Sequence, residues 1–186
     1  MNKSIEDVLG DIISIYQRSF TGKEYEEEND DLDPLMDLFG ISPKLKRENR
    51  QYWGRELGMC WQLLVSQVFS LNHAEHGPAI RIGADEPCDF TFEKFAVDTK
   101  YRIGSGDSGT LKKFKMYGPL LKSKGFKPVF LILRNDNLPA AITACGAGGW
   151  EVRTGDDTFA FIKGHTGFDL KTYLVERAQK YRIVRK

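Results

Sequence analysis

Apolar positions recur along this chain with two different periods, and the change of period organises it. Between residues 1 and 20, Ile5, Val8, Leu9, Ile12, Ile13 and Tyr16 fall on one side of a helix, with Ser4 as its N-cap. The stretch DPLMDLFG predicts a short helix, with Pro34 at its first position and Gly40 past its end. ISPKLKRENR reads as a basic connector. Residues 49–70 carry the longest helical pattern, in which Trp53, Leu57, Cys60, Trp61, Leu64 and Val68 share a face. Glu56 falls at the margin of that face.

From about residue 78 the pattern turns to strands. PAIRIG, PCDFTFE and KFAVDTKYR are predicted as three of them, followed by a glycine-rich loop, IGSGDSG. SGTLKKFKMYGPLLKSKG is helical, with Leu111, Phe114, Tyr117 and Leu121 inward, Pro119 as a kink and Gly125 as a stop. KPVFLILR is nearly all apolar, as expected of a central strand covered on both faces. LPAAITACGAGG predicts a short helix, WEVRT and TFAFIKG two late strands, and FDLKTYLVERAQKYR a final amphipathic helix. This order gives a mixed α/β class, a strand meander feeding a crossover to a buried strand. Its 186 residues suit one globular unit over 49–186, with residues 1–48 as a helical and acidic N-terminal appendage.

Asp98 and Lys100 interrupt this pattern, because they stand in the strand that also holds Phe95 and Val97. Aspartate is disfavoured in strands, and a buried charge is costly unless paired. If CDFTFEKFAVDTK is a hairpin turning at Glu93–Lys94, Phe92 faces Phe95, Thr91 faces Ala96, Phe90 faces Val97 and Asp89 faces Asp98. Phe90, Phe92, Phe95 and Val97 then share the apolar face, and Asp89, Thr91, Ala96, Asp98 and Lys100 the other. Glu-Lys is not a favoured two-residue turn, and a slip of one residue separates the two carboxylates. Directly opposed carboxylates repel unless a cation or a shared proton lies between them. Mg²⁺ resolves the conflict, since it accepts one or two carboxylates and keeps its waters. A lysine on the same face can orient an attacking water and offset charge on a phosphate.

Bulk properties narrow the setting. The formal net charge is +1, too weak for a protein that grips DNA unaided. Cys60, Cys88 and Cys145 are scattered without a CxxC, which argues for a reducing compartment and against a disulfide framework or a zinc site. His73 and His76 have no partner cysteine. No run long enough to cross a membrane and no secretory leader is apparent, so a cytoplasmic protein is expected. The acidic run EYEEENDDLD reads either as a solvated linker or as a partner-docking surface.

At Glu86-Pro87-Cys88-Asp89 followed by Asp98-Thr99-Lys100, over roughly residues 50–135, the sequence resembles the PD-(D/E)xK nuclease superfamily, the fold of many restriction endonucleases. The literal Pro-Asp pair is absent, because Cys88 intervenes. The resemblance implies a restriction-endonuclease-like αβββαβ core, a mixed central sheet flanked by helices. It implies Asp89, Asp98, Lys100 and Glu56 as catalytic residues, with Asp89, Asp98, Glu56 and Thr99 around Mg²⁺. Arg102, Lys112, Lys113 and Lys115 are candidate DNA contacts, and Ser105 to Gly109 are candidates to place backbone amides near a phosphate. No helix-turn-helix, zinc finger or basic helix for reading bases stands out. The length and sequence further resemble the small subunit of heterodimeric type IIS restriction enzymes. That implies double-stranded DNA as substrate and a larger subunit that reads the site and nicks the other strand. Three alternatives stand beside it: a self-sufficient homodimeric type II enzyme, a repair or junction nuclease of the same fold, and a catalytically silent interaction subunit.

Overall fold

The computed structural model describes residues 5–21, 28–104 and 108–184. Four helices lead the chain: α1 (Ile5–Thr21), α2 (Pro34–Phe39), α3 (Pro43–Glu48) and α4 (Arg50–Asn72). Then come β1 (His76–Gly77), β2 (Phe90–Phe92), β3 (Phe95–Lys100), α5 (Ser108–Ser123) and β4 (Lys127–Ile132). The remainder is α6 (Pro139–Ala147), β5 (Glu151–Thr154), α7 (Gly155–Thr166) and α8 (Leu170–Val175). The strands form one mixed sheet in the order β1-β2-β3-β4-β5, antiparallel through β3 and parallel from β3 to β5.

Alternation along the central strand builds two cores. Val129 and Leu131 of β4 face a cluster with α2, α4, α7 and α8, while Phe130 and Ile132 face one with α5 and α6. All four are fully buried, as an uninterrupted apolar strand requires. α4 lies across the first face on Leu57, Trp61, Val65 and Phe69, one residue per turn, and the Trp61 indole donates to the Leu131 carbonyl at 3.1 Å. Leu35, Met36, Leu38 and Ile41 lie in this same cluster, so the 34–48 part of the expected appendage shares the core of residues 49–186. The C-terminal tail closes on it. The amides of Gln179, Tyr181 and Ile183 donate to the carbonyls of Asp37, Leu38 and Phe39. Among the described residues, no helix is long and apolar enough to cross a membrane.

Several elements differ from expectation. The strand expected at 78–83 is absent; β1 pairs His76 with Phe92 and Gly77 with Thr91, then ends at Pro78, which has no N–H to continue a ladder. Residues 43–48 form a helix, capped by the Ser42 hydroxyl, where a connector was expected. TFAFIKG lies within α7 instead of a strand, because Thr158, Phe159 and Ile162 bury one side of a helix. The last helix is short, ending at Val175. The acidic run is not simply solvated: Glu28 pairs with Lys46, Asp30 with Arg47 and Asp33 with Arg134. Ser4 and residues 24–27 lie outside the described residues.

The helices on the second face cross at two glycines. A Cβ on Gly118 of α5 would stand 1.9 Å from the Gly148 carbonyl oxygen, and one on Gly148 would stand 2.3 Å from the Phe114 carbonyl oxygen. The Trp150 indole locks the crossing by donating to that Phe114 carbonyl at 2.8 Å. Gly118→Ala should therefore cost about 1–3 kcal/mol, the usual cost of overpacking, read as a lower urea midpoint at unchanged slope. An unchanged midpoint would mean that α5 and α6 can separate freely.

Candidate active site

The hairpin has the register that the alternation predicts: Phe90 opposite Val97, Thr91 opposite Ala96 and Phe92 opposite Phe95. The unfavourable turn is made by Glu93 in the left-handed region, at φ 45°, and the His73 imidazole holds its carboxylate at 3.2 Å. His73 is thereby a partner of the turn, and His76 stacks on Phe90.

Beyond Phe90 the ladder changes character. The Asp89 amide donates to the Val97 carbonyl at 2.8 Å. The Asp89 side chain then turns onto β3, where its Oδ2 accepts from both the Thr99 amide and the Thr99 hydroxyl, each at 2.6 Å. Its Oδ1 accepts from Gln62 Nε2 of α4 at 2.9 Å. A carboxylate thus stands where a ladder carbonyl would otherwise receive the Thr99 N–H. Asp89 and Asp98 do not simply face each other across the hairpin, since the Asp89 carboxylate is drawn toward α4 by Thr99 and Gln62.

Asp98 and Lys100 point to the α5 side, where a cleft of roughly 370 Å³ is lined by both of them with Asp85, Glu86, Lys113 and Tyr117. The two side chains form an ion pair, and Asp98 is only 14% exposed. Burial pushes the Asp98 carboxyl up to about 6; Lys100 opposes the shift and the neighbouring Asp89 charge adds to it. For Lys100, burial works against the ammonium, but the Asp98 and Asp89 charges more than offset it and its pKa is raised. Two thiols flank the pair. Burial pushes Cys88 up to about 11 and Cys145 up to about 12, so both are neutral thiols near pH 7.

The other expected residues separate into groups. Glu56 is exposed on α4 and pairs with Arg55 at 2.9 Å, so it is not brought to Asp89 and Asp98. Among the described residues, no three His, Cys, Asp or Glu side chains come close enough to hold a metal between them. The Thr99 hydroxyl donates its hydrogen to Asp89. Arg102 is turned away from the cleft, donating to the Asp136 carbonyl at 2.7 Å and pairing with that carboxylate at 3.3 Å. Lys113 lines the cleft and meets Asp85 at 3.5 Å, while Lys112 and Lys115 are exposed on the same helix. Ser105 to Asp107, most of the expected phosphate loop, lie outside the described residues.

Two features were not anticipated. Gln62, beside the buried stripe of α4, reaches Asp89 where Glu56 does not. A buried polar network also stands at the carboxyl ends of β3 and β4. Tyr101, the residue after Lys100, donates to Asp33 and accepts from Lys46, and Arg134 binds Asp33 at 3.1 Å and Asp136 at 2.7 Å. Burial lowers the Lys46 pKa, with Glu28 opposing. No protein-family model, no curated protein and no solved structure matches this chain.

Proposed function

We propose that the chain is a Mg²⁺-dependent DNA endonuclease with a restriction-endonuclease-like αβββαβ core, which hydrolyses one strand of duplex DNA. The observation that carries this reading is the bond from Thr99 to Asp89, which ties the carboxylate before β2 to the Asp98-Thr99-Lys100 tripeptide. α4, the antiparallel hairpin, α5 and the parallel β4 follow in the order that such a core requires.

The donor set fits a hard divalent cation. Two carboxylates suffice for Mg²⁺, which keeps water in its other positions. Asp89 and Asp98 would hold it. The Thr99 carbonyl is a further candidate, since the N–H and C=O of one strand residue point to the same side and the Thr99 N–H points at Asp89. Bound there, Mg²⁺ supplies charge stabilisation at a phosphate oxygen and a more acidic water. Lys100 orients the attacking water and offsets charge on the phosphate from the same face of β3. Lys113 sits across the cleft, where an ammonium can hold a backbone phosphate. Lys112 and Lys115 extend that charge along α5.

A net charge of +1 supports a chain that borrows DNA affinity, and a larger site-reading subunit fits that need. A homodimeric enzyme is the second reading. It is favoured by the apolar side of α1, where Leu9, Ile12, Ile13, Ile15 and Tyr16 are all exposed. Supercoiled plasmid distinguishes the readings. With Mg²⁺ the chain alone should cut poorly, and with a neighbouring nicking subunit it should convert nicks into double-strand breaks that EDTA prevents. Efficient double-strand cutting by the chain alone would select the homodimer. No Mg²⁺-dependent cutting under either condition would remove the nuclease reading.

A further inference from the structure

Asp89 is held by three protein donors, two from Thr99 on Oδ2 and one from Gln62 on Oδ1. A glutamine reaches a carboxylate oxygen only through its NH₂ group, so the orientation of the Gln62 amide is fixed by chemistry. Gln62 therefore presents hydrogens and not lone pairs to Asp89 from the α4 side. A cation cannot occupy the place where an N–H points at its own ligand. The only acidic residue on α4 is Glu56, which is exposed and paired with Arg55. The α4 side of Asp89 thus offers an amide donor and no second carboxylate.

We infer that Gln62 is a positioning residue, which together with Thr99 holds the Asp89 carboxylate in one orientation, leaves it a single position for a divalent cation shared with Asp98, and closes the α4 side to a second. This rests on the metal-dependent reading above. The carboxylate enters the site already fixed by Gln62 and Thr99, with one lone pair of Oδ1 left for a single ion. Partners of metal ligands typically contribute ten- to a hundredfold to affinity.

Mn²⁺ titration of the full chain, followed by the paramagnetic resonance of the free ion, tests this without any cleavage assay. The wild type should bind one Mn²⁺. Gln62→Leu should bind it about tenfold more weakly, with a thermal midpoint in EDTA within about 3 °C of the wild type. Gln62→Glu, nearly the same shape, should admit a second ion, and it keeps the test sharp if the leucine variant fails to fold. Two ions on the wild type, or unchanged affinity in both Gln62 variants, overturns the inference. Asp89→Asn and Asp98→Ala separate the two levels. If both weaken Mn²⁺ and the Gln62 variants do not, only the role of Gln62 falls. If neither weakens it, or the wild type binds none, the metal reading falls and takes this inference with it.

Discussion

Asp98→Ala is expected to abolish strand cleavage by at least about a thousandfold, which corresponds to about 4 kcal/mol of lost transition-state stabilisation. A carboxylate kept largely from water, with a second carboxylate adding to its burden, is an unfavourable thing to build into a sheet. The fold gains little from it, because ionising Asp98 works against burial. Removing it takes away one of the two proposed cation ligands but leaves Phe130, Ile132 and the rest of that core in place. Lys100 is left without its partner but is 36% exposed and can hydrate. The thermal midpoint should therefore stay within about 3 °C of the wild type while cleavage is lost. Plasmid cleavage and differential scanning calorimetry on the same preparation check both halves. Cleavage retained within tenfold would remove Asp98 from the chemistry, and a drop of many degrees would make it a structural residue.

Arg134→Ala should have the opposite signature, a large loss of stability. Arg134 is 3% exposed, and its guanidinium reaches Asp33, Asp136, the Asp31 carbonyl and Asn29. Without it, Asp33 keeps the α2 amides and Tyr101, and Asp136 keeps Asn29 and Arg102, but both lose the guanidinium charge in a poorly hydrated place. Breaking such a buried pair from one side typically costs about 3–5 kcal/mol, a large share of the about 5–15 kcal/mol that holds a domain together. Arg134→Lys should recover only part of this, because a single ammonium cannot span the same acceptors as the planar fork. Urea denaturation measures the loss, and limited proteolysis should show residues 28–48 cut first, since the network fastens them to β4. A change below about 1 kcal/mol would mean that water replaces the guanidinium at no net cost.

The hairpin could be read from sequence because Phe90, Phe92, Phe95 and Val97 alternate strictly and a one-residue slip would bury charge. The same logic placed Asp98 and Lys100 on one face. Glu56 was misjudged because the stripe on α4 was read from its flank. Centred on the buried Leu57, Trp61, Val65 and Phe69, at about 100° per residue, Glu56 lies about 160° away and Gln62 about 80° away. The strand expected at 158–164 failed for a different reason: so short an apolar run cannot be told by its period from one turn of a helix. The Arg134 network left no local trace at all. Its members at 28–33, 46, 101 and 134 are far apart in sequence, and only the folded topology brings them together.

The closure of the C-terminal tail on α2 bears on how a cell makes this protein. α2 is synthesised early, but Leu35 and Met36 share a core with Leu170 and Leu174, and the end of α2 receives its backbone bonds from residues 179–183. Core residues of α2 must wait for partners far later in the chain. Native packing on that face therefore depends on contacts of long sequence separation, the kind that form slowly. A truncated product released before the tail is made would leave that face of the domain unfinished.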